Sequence, residues 1–115
     1  MLTMNYKSLD AFEKEWKKYL KKYRSLEEDM MNFKKVLPFT NFCVSNNKNF
    51  TVLTEKNGTR IVKARLFCQY LKKRSLRLIF AFQEDGLIIE FIEVYFKGDK
   101  NREDQGRIDE YLKLV

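Results

Sequence analysis

The apolar residues of this chain change their spacing at its only proline, Pro38. Before Pro38 they recur every three or four positions, as they do along one face of a helix. From residue 60 to residue 97 they alternate with polar residues or fill whole runs, which is typical of strands. Helices followed by consecutive strands predict an α+β fold.

Two helices are predicted before Pro38, over residues 9–23 and 26–37. Ser8 is a candidate N-cap for the first, and Ser25 with Glu28 has capping-box spacing for the second. Pro38 ends the second helix because it lacks a backbone N–H and clashes with the preceding turn. Since almost no loop separates the two helices, we expect a tight antiparallel hairpin packed on the sheet.

A twisted, mainly antiparallel sheet of three to five strands is predicted after the helices. Its main strands are expected over residues 60–67, 75–83 and 87–97, with residues 50–54 as a possible short strand. Asn57-Gly58 predicts a type I′ turn, and residues 84–86 predict a second hairpin. A short helix starting near Asn101 or Asp104 ends the chain, with an apolar stripe at Ile108, Tyr111, Leu112 and Val115.

The composition predicts one domain over residues 1–115 with a core of its own. The chain is 44% hydrophobic and 15% aromatic, enough for a core without metals or disulfides. No export signal or membrane-spanning run is visible, so we expect a cytoplasmic protein without a membrane partner and with Cys43 and Cys68 reduced. The predicted core includes Trp16, Phe33, Leu78, Phe80 and Ile92.

Positive charge is concentrated in the middle of the chain. The net charge is +7, and the segment between Glu55 and Glu84 holds eight basic residues and no acidic one. These eight are Lys56, Arg60, Lys63, Arg65, Lys72, Lys73, Arg74 and Arg77. Such an excess predicts a polyanionic partner, with nucleic acid first and an acidic protein second. The alternative is a solvated basic face that only aids solubility.

Alternation in the run RIVKARLF separates this charge from the core. Lys63 and Arg65 fall on one face of the predicted strand with Ile61, and the residues between them fall on the other. One face can then pack on the helices while the other holds the basic side chains outward. Whether Arg77 on the next strand joins them depends on strand register, which the sequence leaves open.

The chemistry open to the chain is limited by what it lacks. It has no histidine, and it has no CxxC, P-loop or dinucleotide-binding motif, so no metal or cofactor is predicted. Glu90 and Glu93 are three apart on a strand, so we expect them to face opposite sides and to be edge residues or members of ion pairs.

Lysine, arginine and tyrosine remain, and these residue types suit cleavage of RNA. Arginine can stabilise the charge on a pentavalent phosphate. Lysine with a pKa lowered by cationic neighbours can take the proton of a 2′-hydroxyl. Tyrosine can stack on a base or donate a hydrogen bond.

The ordered set of segments resembles the RelE/ParE-type toxins of bacterial type II toxin–antitoxin systems. FEKEWKKYLKKYRSLEEDMMNFKKVL resembles their N-terminal helical hairpin. The segments IVKARL, SLRLIFAF and LIIEFIEVYFKGDKNRED resemble their later strands, in the same order. The resemblance covers most of the chain and implies two helices on a twisted antiparallel sheet with a concave basic face.

The resemblance also implies a site and partners. Lys63 and Arg65 match the family's K-x-R pair, Arg77 its strand arginine and Lys97 a basic residue after the last strand, while Tyr95 lies where some members have an aromatic residue. Arg65 and Arg77 would hold the scissile phosphate, Lys63 or Lys97 would act as base or charge stabiliser, and Tyr95 would stack or orient. The expected further RNA contacts are Lys56, Arg60, Lys72, Lys73 and Arg74.

Three functions stay open at this point. The leading one is a RelE-type endoribonuclease that cleaves mRNA in the ribosome and inhibits translation. The second is a ParE-type poison of DNA gyrase without nuclease activity. The third is a non-toxic relative that only binds nucleic acid or its partner. For a toxin, the expected partner is a cognate antitoxin that covers the basic face with an acidic segment.

Overall fold

The computed structural model describes residues 3–42, 46–72 and 74–115. Cys43 and Lys73, both singled out by the sequence, lie outside these residues. The helices are α1 (Asp10–Lys22), α2 (Leu26–Val36) and α3 (Gln105–Leu112). The strands are β1 (Asn5–Ser8), β2 (Phe50–Lys56), β3 (Thr59–Phe67), β4 (Ser75–Gln83) and β5 (Ile88–Phe96). Two short 3₁₀ turns cover Leu37–Phe39 and Gln69–Leu71.

The five strands form one sheet in the order β1-β5-β4-β3-β2. β1 runs parallel to β5, and the other neighbours are antiparallel. The predicted α+β class and mainly antiparallel sheet are therefore confirmed, as are the three main strands to within one residue. Asn57 and Gly58 both have positive φ, 50° and 81°, as a type I′ turn between β2 and β3 requires.

Strand β1 was not predicted, because Ser8 was assigned to the start of the first helix. Ser8 is instead the last residue of β1, and Leu9 precedes α1 without a side-chain cap. The capping box at Ser25 is also wrong. The Ser25 hydroxyl donates to Asp29 at 2.7 Å and accepts from the Tyr70 backbone N–H at 2.8 Å. It thereby ties α2 to the β3–β4 connection.

Helices α1 and α2 cover one face of the sheet, with residues 23–25 as their short connection. α1 lies against β5 and α2 against β3. Leu78 and Phe80 are fully buried beneath them, and Trp16 and Phe33 pack at the edge of this core. In the described part of the chain, no helix has both the length and the apolar character needed to cross a membrane.

Helix α3 packs on the opposite face of the sheet. Its Ile108 and Tyr111 join Ile61, Ile79 and Ile92 in a second apolar cluster. Ile92 is therefore core, as predicted, but on the side away from the two N-terminal helices. The predicted start of this helix is confirmed at Asp104, whose carboxylate accepts a hydrogen bond from the Arg107 N–H at 3.1 Å.

A β-bulge in β5 overturns the expectation that Glu90 and Glu93 face opposite sides. The pairing of β4 with β5 shifts register between Ile79 and Phe80, which inserts one extra residue into β5. Glu90 accepts a hydrogen bond from the Tyr111 hydroxyl at 2.9 Å, and the fully buried Glu93 accepts one from the Asp104 N–H at 2.8 Å. Both carboxylates therefore lie on the α3 face.

Candidate nucleic-acid interface

Three of the predicted site residues form a row across the centre of the sheet. Arg65 on β3 lies directly opposite Arg77 on β4, and Arg77 lies directly opposite Tyr95 on β5. Directly opposed side chains on neighbouring strands have Cβ atoms about 5 Å apart and share a face. The register that the sequence left open therefore brings Arg77 beside Arg65, on the face that carries α3.

The two opposed arginines are electrostatically unbalanced. Among the described residues, none of the ion pairs involves Arg65 or Arg77. Burial and the nearby Arg65 charge lower the pKa of Arg77, whose guanidinium donates to the Ser75 hydroxyl at 2.8 Å. Like charges directly opposite in a sheet are destabilising. An anion bound between them would relieve this repulsion.

Further basic residues surround the arginine pair at the end of the sheet. A hollow of about 500 Å³, which we call the basic cleft, is lined by Arg65, Arg74, Ser75, Arg77, Phe96, Lys97 and Gly98. The Arg74 guanidinium lies 5.9 Å from the centre of the Phe96 ring. Arg74 and Lys97 are exposed, and neither is in an ion pair with a described residue. Four cations therefore border one opening.

Lys63 lies one row away from the arginines and is already paired. Its ammonium donates to the Glu103 carboxylate at 2.9 Å. Burial lowers the pKa of Lys63, but its interactions with Glu103 and Tyr95 outweigh burial, and the pKa is raised. The expected lowered pKa is therefore wrong for this lysine, whose environment favours the charged form over a general base.

Tyr95 is only 3% exposed, so its ring cannot stack on an incoming base. Its hydroxyl donates to Glu103 at 3.5 Å, and burial raises its pKa. Of the two expected roles, orienting fits this position, because Tyr95 and Lys63 share one carboxylate beside the arginine row. Glu103 was missed by sequence reasoning, since nothing in the pattern links residue 103 to residue 63.

The central basic block does not form one surface. Lys56, the last residue of β2, and Arg60, near the start of β3, lie at the far end of the sheet, with Arg60 roughly 17 Å along the strand from Arg65. Lys56 donates to the Leu112 carbonyl at 2.6 Å, and Arg60 pairs with Glu55 at 2.8 Å and Glu84 at 3.8 Å. Their assignment to RNA binding stays a prediction, separate from the basic cleft.

The β3–β4 connection brings the remaining loop charge to the same end as the cleft. Lys72 is exposed there but does not line the cleft, whereas Arg74 does. Lys73 lies outside the described residues. Lys72 therefore remains a predicted peripheral contact, and Arg74 becomes part of the central site.

Sequence reasoning also missed Phe67. It follows Lys63 and Arg65 on the α3 face of β3, past the part of that face that α3 covers, and it is 59% exposed. Alternation along the run RIVKARLF already predicts this face for Phe67, but only the basic residues of that face were considered as site residues. This end of the sheet therefore presents an exposed aromatic ring in addition to its basic side chains.

The described residues contain no cluster of three or more cysteine or acidic side chains arranged to hold a metal ion. No family model, curated protein or solved structure matches this chain. The site is thus defined by its own geometry, namely an opposed arginine pair, two further free cations in the described part of the chain, and an exposed aromatic ring.

Proposed function

We propose that the basic cleft binds the phosphodiester backbone of RNA, and that this chain acts as a RelE-type toxin that cleaves mRNA in the ribosome. The observation that carries the proposal is the direct opposition of Arg65 and Arg77, without a carboxylate partner among the described residues. A pair of this kind is unfavourable in the free protein and becomes favourable around a phosphate.

Arginine suits both binding and catalysis at this position. Its planar guanidinium offers several N–H donors to phosphate oxygens in a fixed geometry. Two guanidiniums on neighbouring strands can hold one phosphate from both sides and stabilise the extra charge of a pentavalent transition state. Arg74 and Lys97 at the border of the cleft would contact the neighbouring phosphates, which position the strand without reading its sequence.

Cleavage at this site would use the ribose itself as nucleophile. The 2′-oxygen attacks the adjacent phosphorus and loses its proton, the P–O5′ bond breaks, and the 5′-oxygen gains a proton. The products are a 2′,3′-cyclic phosphate and a 5′-hydroxyl. Of the two basic residues at the border of the cleft, Arg74 keeps its proton and Lys97 can exchange one, so Lys97 is the proposed proton-transfer group, while Lys63 holds Glu103 in place.

A toxin of this kind requires a partner that neutralises it, and the basic cleft is the surface that such a partner would cover. We propose that the cognate antitoxin places acidic side chains over Arg65 and Arg77 and so prevents RNA from entering. The charges favour this arrangement because the arginine pair offers an anion its strongest site on the sheet. A complex in which the antitoxin contacts only the outer side of α1 and α2 would contradict it.

The test is expression of the chain followed by primer extension on cellular mRNA. Wild-type protein should arrest growth and produce discrete cuts that require translation. Arg77→Ala should lower cleavage about 100- to 1,000-fold, as for loss of one transition-state donor. Arg60→Ala is the matched control, since Arg60 lies on the same sheet but is paired with carboxylates.

The same experiment separates the alternatives. Double-strand breaks in DNA and intact mRNA would replace the proposal with gyrase poisoning. Normal growth with intact mRNA and DNA would leave a non-toxic binding protein. Either result would contradict the endoribonuclease assignment.

A further inference from the structure

We infer that the apolar hollow beside Phe67 is a subsite for one unpaired base of the RNA held in the basic cleft. The inference rests on the proposed function and assigns single-stranded RNA as its substrate class. In this inference Phe67 stacks on the base, because the buried Tyr95 cannot.

The hollow opens where β2 leaves the end of β3 uncovered. β2 begins at Phe50, which pairs with Ala64, so residues 65–67 extend past its end beside α2. The space measures about 600 Å³, within the range of pockets that bind small molecules. Its apolar lining consists of Phe33, Val36, Leu37, Phe50, Leu66 and Phe67.

Arg65 connects this hollow to the basic cleft, because the residue lines both. Phe67 follows two residues later on the same face of β3, about 7 Å away. A nucleotide presents the same combination, a flat ring joined to an anion. A phosphate on Arg65 and Arg77 would therefore leave its base within reach of the Phe67 ring.

Besides Arg65, the polar lining of the hollow consists of Glu28, Asp29, Asn32, Thr40 and Gln69, and its two amides fit a base. Asn32 and Gln69 line it and are exposed, so their amides can meet donors and acceptors on a base edge. The Gln69 side chain is held by its Nε2, which donates to the buried Asp29 at 2.9 Å. An apolar protein segment would leave the Asn32 amide and the Arg65 charge without partners.

The subsite requires a base that has left its stack. Bases in a duplex are paired and stacked on their neighbours, whereas bases of single strands can be splayed onto aromatic side chains. Loss of Phe67 should therefore weaken binding of single-stranded RNA and leave binding of duplex RNA or of a polyanion without bases unchanged.

Affinities of the purified chain for a labelled single-stranded oligoribonucleotide and for inorganic polyphosphate test this directly. Phe67→Ala should weaken oligonucleotide binding roughly 5- to 150-fold, the effect of losing one base–aromatic stack, with polyphosphate binding unchanged. Phe67→Tyr should retain both. Phe39→Ala is the matched control, because Phe39 is 83% exposed and lines neither hollow.

The possible outcomes are distinguishable. If Phe67→Ala leaves oligonucleotide binding unchanged while Arg77→Ala reduces it, the base subsite is wrong and the phosphate site stands. Equal weakening of both probes by Phe67→Ala would also overturn the subsite, since the ring would then be supporting the arginines. If the wild-type chain binds polyphosphate but no RNA, the proposed function fails and the subsite with it.

Discussion

At the scale of single residues, the site depends on charges that the fold leaves unpaired. Arg65 and Arg77 repel each other, whereas Lys63, at the next outward position of the same strand, is neutralised by Glu103. The same alternation of basic residues thus leaves two arginines without a carboxylate partner in the described part of the chain and gives a lysine one. The difference is set by which carboxylate the following loop supplies.

Arg77→Ala should leave the free energy of unfolding unchanged or raise it by up to about 1 kcal/mol, because it removes a like-charge pair. Toxicity should be lost in the same variant. Urea unfolding and growth on induction are the two measurements. A variant that is unfolded would show that Arg77 is structural, and a folded, fully toxic variant would remove it from the site.

Glu103 should make the stability of the protein sensitive to acid. Burial raises the pKa of this carboxyl, but the hydrogen bond from Lys63 outweighs burial and holds the pKa below its ordinary value of 4.5. The stabilisation is therefore present above pH 4.5 and is lost as the pH falls through the folded-state pKa. Glu103→Gln should be less stable than wild type at neutral pH, with the gap closing in acid.

Urea unfolding at neutral pH and at a pH well below 4.5 measures that gap. Glu110→Gln is the matched control, since Glu110 is an exposed glutamate of α3 outside the described ion pairs. A gap that is the same at both pH values would contradict the role of the Lys63–Glu103 pair.

At the scale of elements, an ion pair closes the edge of β5 where β1 ends. β1 pairs with β5 only from Ile88 to Phe91. Beyond it, Arg107 donates to the Ile92 carbonyl at 2.9 Å, and Glu15 accepts from the Val94 N–H at 3.2 Å. Arg107 and Glu15 also bind each other through two hydrogen bonds of 2.9 and 3.0 Å. The pair joins α1 and α3 around the sheet edge.

Arg107→Ala should destabilise the protein by roughly 1.5–3 kcal/mol, because it removes charge-assisted hydrogen bonds from a half-buried position. Arg102→Ala is the control, as Arg102 is exposed just before α3. Urea unfolding of both variants measures the difference. Equal stabilities would show that α3 is held by its apolar face alone.

At the scale of the whole molecule, the fold divides the basic block between the two ends of the sheet. At one end Arg60 is paired with carboxylates and Lys56 donates to a backbone carbonyl, and the basic cleft occupies the other end. The net charge of +7 favours polyanions over the molecule as a whole, but under the proposed function close contact with phosphates would be concentrated at the cleft.

The salt dependence of RNA binding should differ between variants at the two ends of the sheet. For single-stranded RNA, each lost phosphate contact reduces the slope of log affinity against log salt by about 0.7. Arg74→Ala should show a reduction of that size, and Arg60→Ala should leave the slope unchanged. Titrations of labelled RNA at several salt concentrations make the comparison. An equal reduction of the slope in both variants would indicate that the whole basic block contacts RNA.

The hydrophobic periods of the sequence determined most of the fold. Local spacing was enough to place α1, α2, β3, β4 and β5, because each is long and strongly periodic. It also put Lys63 and Arg65 on the outward face, since side chains alternate along any strand. β1 escaped prediction because four residues carry little periodic signal and their pairing with β5 is parallel and distant in sequence.

Only the tertiary structure decided which charges meet. Strand register placed Arg77 opposite Arg65, a β-bulge turned Glu93 onto the α3 face, and the loop after β5 brought Glu103 to Lys63. Each of these depends on contacts between residues far apart in the chain, which hydrophobic period does not encode. The face of the sheet on which a side chain lies therefore follows from the local sequence. Which charged side chains meet, and with them the site, follows from how the strands align.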